Sequence, residues 1–132
     1  MILLDTHIWI WWVHRDDRLP RSLQAVVDQA CGDAVGVSAI SCWEVAKLVE
    51  RGRLRLPMPT HDWLLAALSY PGVALLPLSP DIAAESCALP GSFHADPADQ
   101  LIVATARHHR IGLVTLDERI RRYPHVDVVG VA

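Results

Sequence analysis

Five short runs of the chain carry apolar residues with almost no polar break: ILLD at 2–5, AVGVS at 34–38, VALLPL at 73–78, IGLVTL at 111–116 and VDVVGV at 126–131. Each is rich in Val, Ile or Leu and too short for a helix, which predicts strands buried on both faces, as in a parallel sheet. Longer segments at 6–15, 21–30, 41–52, 60–70, 79–89 and 97–110 lie between them. Several open on Ser, Thr, Asp or Pro and are followed by Gly or Pro, the start and stop signals of helices. The alternation predicts an α/β domain with a central, mostly parallel sheet flanked by helices. One segment exceeds what a single core can bury: IWIWWV at 8–13 is apolar at six consecutive positions. Trp9 and Trp12 are one turn apart, whereas Trp11 lies roughly 100° from Trp12 and roughly 160° from Trp9. Trp11, together with Trp63 of HDWLLAAL, is therefore expected to line a protein–protein surface, where aromatic anchors are typical.

Composition narrows the class. A chain of 132 residues with 52% apolar and 20% charged residues suits one domain, expected to span 1–132. Cys31, Cys42 and Cys87 are odd in number and far apart, so neither a CxxC motif nor a disulfide framework is expected and a reducing cytoplasm is the simplest home. The N-terminus has no cationic leader and carries Asp5 in its first apolar run, and no run approaches the ~20 residues of a membrane span. A net charge of −3 gives no global cationic field, so any nucleic-acid contact must use local patches.

The acidic residues fall in a pattern that changes the picture. Asp5 closes the first strand, Glu44 falls in the first turn of the helix after the second, Asp99 lies in the first turn of a later helix, and Asp117 follows IGLVTL. In a parallel sheet these positions converge at the carboxyl edge, the usual site in open α/β folds. Each residue also has a purely structural reading. Ser41 and Glu44 match the capping box S-x-x-E. Asp96-Pro97-Ala98-Asp99 reads as an N-cap, a proline at the first helical position and an acid near the positive end of the helix dipole. The cap suits Asp96; Asp99 shares its helix face with Ile102, Val103 and Ala106, where an unpaired carboxylate is costly. Lys47 is the only lysine. Carboxylates without thiolates or a zinc-type His spacing select a hard divalent ion, Mg²⁺ or Mn²⁺, and such an ion points to phosphate chemistry.

The stretches MILLDTHIWIWW, VSAISCWEVAKL, HADPADQLIVATA and LVTLDERI, in this order and spacing, resemble the PIN-domain ribonucleases, specifically the VapC-type toxins of toxin–antitoxin pairs. The resemblance spans essentially the whole chain. It implies an acidic quartet at Asp5, Glu44, Asp99 and Asp117, with Asp96 as an additional aspartate and Thr6 and Thr115 as the polar residues beside the first and last acids. It further implies Mg²⁺- or Mn²⁺-dependent endonucleolytic cleavage of RNA, homodimerisation and neutralisation by a cognate antitoxin. Ala98 and Gln100 depart from the aromatic and the arginine that many relatives carry there; neither departure removes an acid.

The remaining charges are read against that background. KLVERGRLR places Lys47, Arg51, Arg53 and Arg55 just after Glu44, and the last three are assigned RNA contacts because guanidinium forks suit phosphate. RHHR at 107–110 and RIRR at 119–122 read as solvated helix ends. The seven histidines show no zinc spacing, so His7 and His94 are expected to support the site rather than ligate. A dehalogenase-type phosphatase would need D-x-D where the chain has Asp5-Thr6-His7, and a receiver domain would need an early aspartate pair and a late lysine. The alternative from another class is a non-catalytic RNA-binding or regulatory module on the same fold.

Overall fold

The computed structural model describes residues 1–130. Four strands, β1 (Ile2–Leu4), β2 (Val35–Ser38), β3 (Val73–Leu76) and β4 (Gly112–Val114), form one sheet in the order β3-β2-β1-β4, with every pairing parallel. Seven helices accompany them among the described residues: α1 (Thr6–His14), α2 (Arg21–Ala30), α3 (Ala39–Glu50), α4 (Thr60–Leu68), α5 (Pro80–Ser86), α6 (Pro97–His109) and α7 (Glu118–Arg121).

The period of two along the strands divides the core. Leu4, Val35, Val37 and Val114 pack on one side with Ile8, Trp9, Trp12, Leu23, Val27, Val45, Trp63 and Ala67. Leu3 and Leu113 point the other way, into Ile102, Val103, Ala106, Ile120 and Tyr123. Helices cover both faces, so the strands need no polar side, which explains their unbroken apolar runs.

Differences from the sequence expectation have physical causes. The fifth expected strand, 126–131, pairs with β4 at one bridge, Leu113 with Val128, flanked by hydrogen bonds from Leu113 N to Asp127 O (2.8 Å) and from Val129 N to Leu113 O (2.9 Å); Val131 lies outside the described residues. Val129 sits so close that a Cβ at Gly112 would approach its Cγ2 to 2.8 Å, which only glycine avoids. The capping box at Ser41 and Glu44 does not form. Ser38 is the N-cap of α3, accepting from Ile40 N at 3.2 Å, which moves Glu44 from the first turn into the second. Asp5 is not the last strand residue but the N-cap of α1, and α7 was hidden in a segment too short to show a periodicity. Asp96 caps α6 as expected, accepting from Asp99 N at 3.2 Å, with Pro97 next.

Six consecutive apolar residues in α1 are accommodated because the helix is wedged among the sheet, α3 and α4. Trp9 and Trp12 are 0% and 4% exposed, whereas Trp11 is half-buried. Trp63 is corrected outright. It is 2% exposed, its ring lies 5.2 Å from that of Trp9, and its indole N–H donates to His14 Nε2 at 2.9 Å, so it belongs to the core and offers no docking surface. Trp63→Ala should lower unfolding free energy by about 3–5 kcal/mol, the range for emptying a buried indole site, read as a shifted midpoint in urea. Asp96→Ala should cost about 1 kcal/mol and Asp96→Asn almost nothing, because Asn is an equally good N-cap.

Candidate active site

At the carboxyl edge of the sheet a pocket of about 440 Å³ is lined by Asp5, Glu44, Asp96, Asp99 and Asp117, together with His7, Ile8, Trp11, Leu116 and Arg119. Residues separated by more than a hundred positions meet there because β1 and β4 are adjacent and parallel, so the chain leaves both strands at the same edge.

The carboxylates are held mainly by neutral donors. Asp5 accepts from Thr6 N at 2.8 Å through Oδ1 and from the Thr115 hydroxyl at 2.7 Å through Oδ2. Thr115 Oγ1 in turn accepts from Asp117 N at 3.0 Å, which couples the first acid to the last. The Thr6 hydroxyl donates to Glu44 Oε1 at 2.5 Å, so its single proton is used and the Ser41 hydroxyl, 2.8 Å away, is the donor in that pair. Thr6 and Thr115, both buried, thus hold acids in place. Asp99 is different, because His94 Nε2 lies 2.7 Å and an Arg119 nitrogen 3.6 Å from the same oxygen, Oδ2. His94 is itself fixed by Gln100, whose Nε2 donates to the His94 carbonyl at 3.1 Å, and by its ring contact with Phe93 at 4.2 Å.

Crowding sets the electrostatics. Burial pushes Asp5 up, against the hydrogen bonds from Thr115 and Thr6. Burial also raises Asp99, with Asp5, Asp96 and Asp117 adding repulsion and His94 opposing it. Glu44 is pushed up to about 7, chiefly by burial and then by Asp5, Asp99 and Asp96, with the Thr6 hydrogen bond acting the other way. Asp117 goes down: burial alone would raise it, but hydrogen bonds from the Arg119 side chain and backbone outweigh that.

These environments suit a hard divalent cation. The donors are carboxylate oxygens, three of them held above their ordinary pKa by burial with like charges adding to it, and a cation among them would reverse that penalty. Among the described residues no three His, Cys, Asp or Glu side chains are gathered into a ready-made cage. Carboxylate oxygens are the donors that hard ions prefer, whereas zinc sites are built mainly from Cys and His.

Sequence reasoning missed several members of the pocket. Arg119, read as part of a solvated run, reaches Asp117 at 3.2 Å as well as Asp99. The legible signal was Asp-x-Arg: Asp117 accepts from Arg119 N and side chain, as Asp16 does from Arg18 at 2.9 Å and 2.7 Å. Leu116 is a further wall residue that no signal marked, whereas His7, expected to support the site, does line it. Trp11, expected at a protein interface, forms part of the pocket wall, with the His7 ring at 5.8 Å and the Arg18 guanidinium 5.3 Å from its centroid. Arg51, Arg53 and Arg55 are exposed and do not line the acidic pocket. Arg107, by contrast, is tied down by Glu85 at 3.0 Å and the His125 carbonyl, far from the acids.

Comparison with known proteins agrees with this geometry. The family model for the PIN domain matches residues 2–126. The curated protein Ribonuclease VapC22 of Mycobacterium tuberculosis is 40% identical over 124 residues, covering 94% of this chain and 92% of its own. Among solved structures, VapBC2 of Rickettsia felis bound to a DNA fragment from its promoter superposes with a TM-score of 0.73 at 19% identity, over 98% of both chains. A toxin–antitoxin complex from Klebsiella pneumoniae gives 0.68 at 22% identity, over 98% of this chain and 97% of the other. At those identities the two structures attest the fold, while the family model and the 40% identical relative carry the assignment: the chain belongs to the PIN-domain family, in its VapC-type branch.

Proposed function

We propose that the protein is a divalent-metal-dependent endoribonuclease, the toxin of a toxin–antitoxin pair, acting through Asp5, Glu44, Asp99 and Asp117. The observation that carries this reading is the meeting of those four carboxylates, distant in sequence, in one pocket at the carboxyl edge. The relative named as a ribonuclease supports the reaction class.

Asp5, Glu44, Asp99 and Asp117 would hold the Mg²⁺ or Mn²⁺, which would supply Lewis acidity toward a phosphodiester and water. The chain's own residues do the rest. Thr115 and the Thr6 amide fix both oxygens of Asp5, Thr6 aims Glu44, and His94 with Arg119 orients Asp99. Arg119 is the most exposed member of the set, with a side chain 60% exposed. It lies across Asp99 and Asp117 as an internal counter-ion, and its guanidinium fork would suit a phosphate oxygen at the same place.

The partners we assign are an RNA substrate, a cognate antitoxin and a second copy of the chain. Exposed Leu65, Tyr70, Leu75 and Leu78, next to or on the edge strand β3, supply an apolar surface for association. Free cysteines suit a reducing cytoplasm, and among the described residues no helix is long and apolar enough to cross a membrane.

Incubation of antitoxin-free protein with RNA in Mg²⁺, Mn²⁺ or EDTA tests the proposal: cleavage should require the ion, and cleavage that persists in EDTA would overturn it. Outer hydrogen-bond partners in metal sites are worth about 10- to 100-fold in affinity or activity. Thr6→Val and Thr115→Val should fall in that range, and Asp5→Asn, Glu44→Gln, Asp99→Asn and Asp117→Asn should lose about 100-fold or more with unchanged circular dichroism.

The metal-free protein should also lose stability as pH rises. Between the ordinary Glu44 value of 4.5 and its folded value of about 7, the folded state keeps a proton that the unfolded chain has released. That contribution is therefore whole below about pH 4.5 and gone above about 7. Thermal melts across this range should slope downward, Glu44→Gln should flatten the slope, and Mg²⁺ at pH 8 should raise the wild-type midpoint more than that of Asp99→Asn.

A further inference from the structure

The geometry points to a subsite for one unpaired nucleotide of an RNA strand in the groove beside the acidic pocket, with its base stacked on Trp43 and its phosphate between Lys47 and Arg51. This deepens the ribonuclease reading and rests on it for the identity of the strand.

A groove of about 250 Å³ is lined by Trp43, Glu44, Lys47, Leu48 and Arg51 of α3 and its exit, facing Asp96, Pro97 and Ala98 at the start of α6. It shares Glu44 and Asp96 with the acidic pocket, so a strand with a phosphodiester at the acids continues directly into it. Trp43, Lys47 and Arg51 recur every four residues and form one stripe along α3. The Trp43 indole is 51% exposed, an unusual position for so large an apolar side chain, and Lys47 Nζ lies 5.9 Å from its centroid. Lys47 is also bonded to the exposed Glu50 at 2.9 Å, and Arg51 is exposed at the helix end.

Charge balance favours a nucleotide here. The acidic pocket presents five carboxylates against Arg119 and repels a polyanion, so affinity for RNA must come from cations beside it. The groove supplies two, next to an open aromatic face, and that pairing is how proteins hold single strands: cations track the backbone and rings accept bases of any identity. Pro97 and Ala98, with short side chains, form the wall that faces the indole across the groove.

The test is fluorescence anisotropy with a labelled single-stranded RNA oligomer and a hairpin of the same composition, in Mg²⁺, on the non-cleaving Asp117→Asn protein. Trp43→Ala should weaken the single strand by about 5- to 150-fold, the span of base–aromatic stacking, and Trp43→Phe should recover most of it. Lys47→Ala and Arg51→Ala should each reduce the slope of log affinity against log salt by about 0.7. The hairpin should respond less. Equal RNA affinity in Trp43→Ala, or a loss that appears in self-association or antitoxin binding instead, overturns the subsite. The two readings separate cleanly. Wild type that cleaves RNA with a KM indifferent to Trp43→Ala retains the nuclease and sinks the groove. Trp43-dependent RNA binding without cleavage retains the groove and sinks the nuclease.

Discussion

Asp5 sits 7% exposed at the carboxyl end of β1, a strand flanked on both sides, and the local structure is arranged around it. Its amide donates to Val114 O at 2.9 Å, its carbonyl accepts from Trp9 N at 3.0 Å, and its side chain caps α1 while taking the Thr115 hydroxyl. One residue therefore follows directly on a strand, starts a helix and fastens β1 to β4. A carboxylate so placed is costly unless it is neutralised, and its nearest charged neighbours in the pocket are mostly more carboxylates. The donors around Asp5 and Glu44 are hydroxyls and a backbone amide, which fix geometry without cancelling charge. The negative potential is thereby left available for an ion.

Around that deficit the groups that face Asp99 and Asp117 are placed with economy. Arg119 and His94 converge on one oxygen of Asp99, and Arg119 is simultaneously the partner of Asp117, so a single guanidinium moderates two acids. The same Asp-x-Arg arrangement recurs at Asp16 and Arg18, where the guanidinium lies over Trp11, itself a residue of the pocket wall. The basic residues of α3 and its exit stand outside the pocket. A net charge of −3 is thus compatible with binding a polyanion, because sign varies over the distance of a Debye length rather than over the whole molecule.

Much of this was legible in one dimension. Unbroken apolar runs located the four sheet strands, since helices on both faces remove any need for alternation. The cap Asp96 and the positions of the acids after strands followed from local backbone chemistry. The errors share a cause. The S-x-x-E motif at Ser41 satisfied a capping rule, but Ser38, three residues earlier, was the residue that left the strand, and helix registry is set by where β2 ends. Trp63 and Trp11 could not be sorted by periodicity, because each side of α1 and α4 meets a different neighbour.

Strand identity, parallel topology and the edge at which the acids gather come from short-range pattern and chain order, because buried strands and capped helices impose their signals within a few residues. Which hydroxyl holds which carboxylate, that Arg119 reaches Asp99 and that Trp43 stays open beside Lys47 and Arg51 were settled by packing. These contacts join residues from twenty to more than a hundred positions apart, or depend on which helix face a neighbour covers, and no local rule encodes the distance between two elements once they have docked.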